Sequence, residues 1–382
     1  MRDAGKQLFA PIRMLLESKS LNEKSGVIPP HNQGDPMSQQ KNVIVSDIHV
    51  SNAAPYSWFV PPYSNATIEM LHTIANDASV SNLTLLGDIF DLWLYPVDVV
   101  PLTVSEIIDA NPVFKEAMQN VVAKLPAVYY TDGNHDMGVD VCDLAPFSSG
   151  GKAVQPLPSN GLYPDWHMEH GNAPDMFNAR DTAEDTIGGL PLGFFITRLC
   201  ASADDPTAFW NKKGDIITEW TQKQGTLESY TRSEHLDLGQ LFIEAIVDGL
   251  MLYVNINRKK QGESLFDDKT PIRFSQKSLD GKYTLGDIKH HYGSLLATWF
   301  AKYPDHLIDS MLTAILPNGL DWYANLLFSS SPPPKLVLLG HTHHDEIKDD
   351  TYANDGCCCR PSGVTYVVVK DNVPQTVQVP IG

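Results

Sequence analysis

The chain has no apolar run approaching the ~18 residues that a membrane-spanning helix needs, so no transmembrane segment is expected. Cysteine is scarce: five in all, at Cys142, Cys200 and the run Cys357-Cys358-Cys359. An odd count with three in a row is not the framework of a disulfide-stapled secreted domain, which points to a reducing compartment and a cytoplasmic location. Positive charge is also short. Lysine and arginine total 28 against 46 acidic residues, a formal net charge of -18. Phosphate backbones reward the opposite balance, so long nucleic acid is not the expected partner. No internal repeat recurs. The N-terminus, despite Arg2 and Lys6, lacks the apolar core and small-residue cleavage site of a signal peptide. The sequence is silent on oligomeric state.

What is present is an ordinary globular composition, 42% hydrophobic and 19% charged over 382 residues. That is enough chain for one large domain or two modest ones around a substantial core. The informative stretch is Asn82-Leu83-Thr84-Leu85-Leu86-Gly87-Asp88-Ile89-Phe90-Asp91-Leu92-Trp93. A short apolar run stops at a glycine and an aspartate follows, the form of a buried strand ending at the edge where open α/β sheets hold ligands. Alone, Gly-Asp-x-x-Asp also describes a strand followed by an N-capped helix. Three other apolar runs end the same way. Val43-Ile44-Val45-Ser46 leads into Asp47-Ile48-His49, and Ala127-Val128-Tyr129-Tyr130 leads to Gly133-Asn134-His135-Asp136. Leu336-Val337-Leu338-Leu339 leads into Gly340-His341-Thr342-His343. Asp, Asn and His are metal-ligand types, and each set falls at a strand end. Residues two apart in extended backbone share a side, which is how Asp47 and His49 are expected to converge, and how His341 and His343 each reach an ion.

With His170-Gly171 after Trp166-His167-Met168-Glu169, the motifs stand in the order D-x-H, G-D-x-x-D, G-N-H-D, H-G and G-H-x-H. The chain thereby resembles the calcineurin-like metallophosphoesterase superfamily, over residues 43–177 and from 335 to about 370. Asp88-Ile89-Phe90-Asp91-Leu92-Trp93 is similar in wording to the bacterial pyrophosphohydrolase branch that cleaves a UDP-linked lipid sugar. The resemblance implies an α/β fold, a two-sheet βαβ sandwich flanked by helices, here with a large and mainly helical insert. It implies two divalent metal ions, manganese first, with iron or zinc as alternatives. Asp47, His49 and His343 would hold one ion, Asn134, His170 and His341 the other, and Asp88 would bridge them. His170 is preferred to His167, which has the opposite strand parity. His135 matches the family's non-ligand histidine that assists the leaving group, with Asp91 as its carboxylate partner and Asp136 as a support. The implied reaction is attack of a metal-bridging hydroxide on a small phosphodiester or phosphomonoester.

The chain departs from the family in places. Leu92-Trp93 follows Asp91 where protein phosphatases carry an arginine, and His344 stands where an arginine often follows the last motif. Neither a protein nor a lipid substrate therefore carries over. Two alternatives stand beside the phosphoesterase: a non-enzymatic interaction module on the same fold, and a metallohydrolase of a non-phosphate bond.

Four segments are expected: an extension and linker over 1–40, the first part of the core over 41–177, a helical insert or cap over 178–330, and the second part of the core over 331–382. A short amphipathic helix is expected near residues 8–16 and a linker over 26–36. Helices are expected over 65–79, over 103–124 and after Asp136 to Leu144, with a short one holding Trp93. The loop at 51–63, with Pro55, Trp58, Pro61 and Pro62, either shapes a pocket or is surface packing. Residues 148–161 read as a loop and Tyr352-Ala353-Asn354-Asp355-Gly356 as a turn, with strands over 364–370 and 375–379. In the insert, Leu236 to Leu250 and Leu295 to Ile315 carry helical periodicity, broken near Pro304. Trp210, Trp220, Trp299 and Trp322 read as core more readily than as a binding surface. The cysteine run reads as buried small residues beside the site, since neighbouring strand side chains face opposite ways.

Overall fold

The structure, a computed structural model, describes residues 40–52, 57–159, 161–180, 187–203, 238–313, 316, 318–361 and 363–381. The expected helix at 8–16 and linker at 26–36 lie outside these residues, as do Pro55, Trp210, Trp220, Leu236 and Ile315.

The apolar runs that end in motifs are strands. β1 (Lys41–Val45), β2 (Val80–Leu86) and β3 (Ala127–Thr131) pair in parallel. β4 (Gln155–Pro156) extends the parallel run from within the expected 148–161 loop. On the other side of β1, β9 (Val364–Lys370) and β10 (Val373–Val379) are antiparallel, completing a sheet of order β10-β9-β1-β2-β3-β4. A second mixed sheet has order β5-β6-β8-β7, from β5 (Trp166–Met168), β6 (Leu336–Leu339), β7 (Asp345–Lys348) and β8 (Tyr352–Asp355).

Strand parity sets the layers. Val43 and Val45 face one way with Leu83, Leu85 and Val128, onto α1 (Tyr63–Asn76), α2 (Val104–Ala110) and α3 (Pro112–Lys124). Met70, Leu71 and Ile74 of α1 and Phe114, Met118 and Val121 of α3 recur at helical spacing and fill that layer. Ile44, Leu86, Val367 and Val369 face the other way and pack on Trp166, Met168, Leu336 and Leu338 of the second sheet. The far side of that sheet, through Val337, Leu339 and Tyr352, is covered by Leu320 and Ala324 around α9 (Asp321–Phe328). Burial on both faces is why the inner strands read as mainly apolar runs.

Among the described residues of the insert, helices stand out, with irregular chain between Gln261 and Leu285. α4 (Leu192–Ala201), α5 (Leu238–Gln261), α6 (Leu285–His291), α7 (Leu295–Lys302) and α8 (Leu307–Leu312) surround a second core that includes Phe195, Ile243, Val247, Ile272 and Trp299. Trp93 and Val97, which follow the second motif, belong to this core as well. Arg198 of α4 is fully buried and fastens that junction. Its guanidinium donates to the carbonyls of Tyr95, Pro96, Val99 and Arg273.

Several expectations are corrected. The helix over 103–124 is two, because Pro112 has no N–H to continue α2 and instead opens α3. No helix carries Trp93. Asp91 Oδ1 accepts the N–H groups of Trp93 and Leu94, at 2.9 and 3.1 Å, and closes a tight turn. Residues 137–144 are turns, followed by a single 3-10 turn at Ala145–Phe147. Residues 352–355, expected to turn, are β8, whose polar side chains are buried and bonded rather than exposed.

Candidate metal centre

Parallel strands deliver their C-terminal ends to one edge, and here β1, β2 and β3 of one sheet and β5 and β6 of the other do so together. The loops beyond them are laced by backbone hydrogen bonds. Asp47 and His49 donate to the carbonyls of Gly87 and Asp88, at 3.1 and 3.0 Å. Gly340 donates to His170 and Leu92 to His135, at 2.8 and 3.1 Å. The backbone at these tips is not extended. Asp47, His49, Asp88, His341 and His343 have φ of 51°, 55°, 53°, 71° and 59°. It is left-handed backbone at both members of each His/Asp pair, not the two-residue repeat of a strand, that turns the side chains inward. Each such residue costs on the order of 1 kcal/mol, a strain that clusters at functional sites. Two glycines allow the close approach. A Cβ on Gly133 would collide with the Asp88 carboxylate and lie 2.8 Å from the His170 ring, and one on Gly87 would lie 2.8 Å from Gly133.

The structure brings all nine motif residues together. Asp47, His49 and His343 form one group able to hold a metal ion, and Asp88, His170 and His341 form another. Asp88 also groups with His49 and His135. In the first group His343 Nε2 lies 3.1 Å from Asp47 Oδ1 and 3.1 Å from His49 Nε2. In the second, His170 Nε2 lies 3.1 Å from Asp88 Oδ2 and 3.2 Å from Asn134 Oδ1. His170 Nδ1 donates to the Leu86 carbonyl at 2.9 Å, which turns Nε2 toward the cluster. Asp47, His49, Asp88, Asp91, Asn134, His170 and His341 are all buried. Asp47 Oδ1, His49 Nδ1 and Asp91 Oδ2 have no hydrogen-bond partner, although polar groups crowd them. Buried acceptors in that state are what a cation would satisfy.

His135 stands slightly apart. Its Nδ1 is 3.1 Å from Asp91 Oδ1, and its ring stacks on Trp93 with centroids 4.4 Å apart. Its backbone N–H donates to Asp88 Oδ1 at 2.6 Å, so the residue also orients the shared carboxylate. Asp136 accepts the N–H groups of Asp88, Ile89 and Gly133 and pins the second and third motif loops to each other.

Electrostatics follow from the crowding. Burial and the charge of Asp88 push Asp136 up to about 6. Burial disfavours the charged forms of His170 and Asp88 too, but each outweighs it for the other. Asp88, Asp47 and Asp136 raise His170 to about 10, and His170 with His135 lowers Asp88 to about 2. Burial likewise opposes ionisation of Asp47, yet His170 and His343 hold it well below the usual carboxylate range.

Other members are not marked by any motif. Asp175 Oδ2 lies 3.1 Å from His341 Nε2, while Asp175 Oδ1 accepts the Phe177 N–H. Ser46 Oγ bonds both Asp47 and, at 2.6 Å, Asp355. Half-buried Trp58 stands edge-on to His49 at 4.6 Å, which sets its ring against the site. The only available signal for Asp175 was its place five residues after His170. His167 turns away toward Glu169, and His344 Nδ1 meets the Arg360 guanidinium at 2.8 Å. A cavity of about 680 Å³ opens from Asp88, Asn134, His135, His341 and His343 toward Phe242, Ile246 and Met311 of the insert. Among the described residues no helix is long and apolar enough to cross a membrane. The chain matches no family model and no curated protein significantly.

Proposed function

We propose that the chain is a metal-dependent phosphoesterase of the calcineurin-like metallophosphoesterase superfamily, hydrolysing a small phosphodiester or phosphomonoester. The observation that carries this is the convergence of the motif side chains from five strand ends, with Asp88 common to groups on either side of it. The layering of two mixed sheets between helices is in keeping with the superfamily's sandwich, and residues 178–330 would be its insert.

The donor set fits two divalent ions. Oxygen and imidazole ligands without thiolate suit manganese, iron or zinc. Asp47, His49 and His343 would hold one, Asn134, His170 and His341 the other, with Asp88 shared. The facing Nε2 atoms of His49 and His343 and the unpartnered Asp47 Oδ1 mark where positive charge is wanted. Such a pair of ions supplies Lewis-acid polarisation of the ester and activation of water.

The chain's own groups do the rest. Asp91 accepts from His135 Nδ1 and Trp93 fixes the ring plane, so His135 is oriented to give a proton to the departing oxygen. Arg360 lines the cavity with no carboxylate in ion-pair distance among the described residues, a cation available to an anionic ester. The test is turnover of p-nitrophenyl phosphate and of bis(p-nitrophenyl) phosphate, abolished by a chelator and restored by Mn²⁺. A protein holding two equivalents of metal yet inert on both ester classes would refute the assignment.

A further inference from the structure

The cysteine run lies against the metal centre. Cys358 points into the helix-side core, and its N–H donates to the Asp47 carbonyl at 3.1 Å. Its neighbours turn to the opposite side. The sulfurs of Cys357 and Cys359 are 3.0 Å apart, about 1 Å more than the ~2.05 Å of an S–S bond. No disulfide joins them. Cys359 Sγ lies 3.6 Å from His343 Nδ1, on the far side of the ring from the nitrogen that faces Asp47 and His49. Cys359 is half-buried and lines the cavity, whereas Cys357 is buried behind it.

We propose that Cys357 and Cys359 are a redox-active pair, closed to a disulfide by a peroxide and reopened by a small thiol, which sets how firmly His343 is held for metal. The partner that lines the cavity reacts first. Cys359 sulfur attacks the peroxide, the O–O bond breaks, and a sulfenic acid forms with release of water or an alcohol. Cys357 sulfur then attacks that sulfur, the S–S bond forms, and the hydroxyl leaves with the Cys357 proton as water. Two thiols lose two electrons and the peroxide gains them. Reduction runs by thiol–disulfide exchange, in which one small thiol forms a mixed disulfide, a second attacks it, and the two end joined as a disulfide while both cysteines regain their protons. In the dithiol state Cys359 sulfur backs His343 Nδ1, the kind of outer partner whose loss weakens metal binding. Closure draws that sulfur toward Cys357 and makes it a poorer acceptor. This effect on metal rests on His343 being a ligand; formation of the disulfide does not.

The experiment treats the full chain, free of metal, with hydrogen peroxide, removes the oxidant with catalase, and measures intact mass and then Mn²⁺ affinity. The expected result is loss of two hydrogens mapping to the peptide with residues 357–359 and an Mn²⁺ affinity about 10-fold weaker, both reversed by dithiothreitol. Cys142→Ser should behave as wild type, and Cys357→Ser should stop at an oxidised Cys359 with no disulfide. Should Cys357→Ser fail to fold, Cys359→Ala serves, with no peroxide effect on Mn²⁺ binding. Over-oxidation of Cys359 in the wild type without an S–S bond would overturn the pair, and a disulfide that leaves Mn²⁺ affinity unchanged would overturn the switch. A reduced protein that takes up no Mn²⁺ would refute the metal centre instead, and the disulfide map then decides the pair alone.

Discussion

Asp88 and His135 face different partners at the strand tips. The shared carboxylate faces His170, and the histidine is turned toward Asp91 and stacked on Trp93. His135→Ala is therefore expected to keep its metal while the reaction slows by about 10²- to 10⁴-fold. Elemental analysis beside kcat checks this, and a metal-depleted variant would place His135 among the ligands, as its grouping with His49 and Asp88 permits. His170, raised to about 10 by its carboxylates against the effect of burial, gives a pH prediction. In metal-free protein the raised value contributes stability that is complete below the ordinary 6.5 and is lost as pH rises through about 10. A metal must displace that proton. Mn²⁺ affinity should then tighten by up to ~10-fold per pH unit between pH 6 and 8, with proton release visible calorimetrically in buffers of different ionisation enthalpy. Affinity that does not change with pH would contradict it. The motif residues were legible because they cluster within the few positions that follow the ends of apolar runs. Asp175 and Asp355 were not, because their partners His341 and Ser46 are 166 and 309 residues away, and no local spacing links them.

Among elements, the inner parallel strands were the easiest to read, since their buried stretches are short, mainly apolar runs such as Val43-Ile44-Val45 and Leu336-Val337-Leu338-Leu339. β8 was hidden for the opposite reason. Asn354 and Asp355 look like turn residues, yet Asn354 Nδ2 donates to the Gly340 carbonyl at 2.6 Å and Asp355 Oδ1 accepts from Ser46, which anchors both inside although Asp355 Oδ2 has no hydrogen-bond partner. The expectation of extended backbone at Asp47-x-His49 failed because left-handed φ is set by the tertiary lacing of the loops, which no propensity encodes. α2 begins with a capping box, in which Glu106 N–H bonds the Thr103 hydroxyl and the Glu106 carboxylate bonds the Thr103 N–H. Thr103→Ala should lower stability by about 1 kcal/mol in denaturant unfolding and leave metal content unchanged. A loss of metal there would mean that α2 positions the site more directly than its place in the helix layer indicates.

At the scale of the molecule, two cores meet where the loop after the second motif passes beneath the insert. Trp93 is common ground, packed with the insert while stacking on His135. Arg198 holds that loop by the carbonyls of Tyr95, Pro96 and Val99 and ties it to the Arg273 carbonyl of the insert. Arg198→Met should cost at least ~2 kcal/mol, because buried acceptors lose their donor. It should also slow turnover by loosening Trp93 over His135, read as a fall in kcat with KM little changed. Unaltered kcat with reduced stability would confine Arg198 to a structural part. The periodicity of the insert showed that it is helical, but not that it borrows Trp93 and Val97, because that contact joins segments about 100 residues apart. All of this depends on cations gathering at the strand tips. Anomalous diffraction from crystals grown with Mn²⁺ tests that most directly. Two peaks about 3.5–4 Å apart are expected, one beside Asp47, His49 and His343 and one beside Asn134, His170 and His341, with Asp88 touching both. No peak there, or a single ion bound away from Asp88, would contradict it.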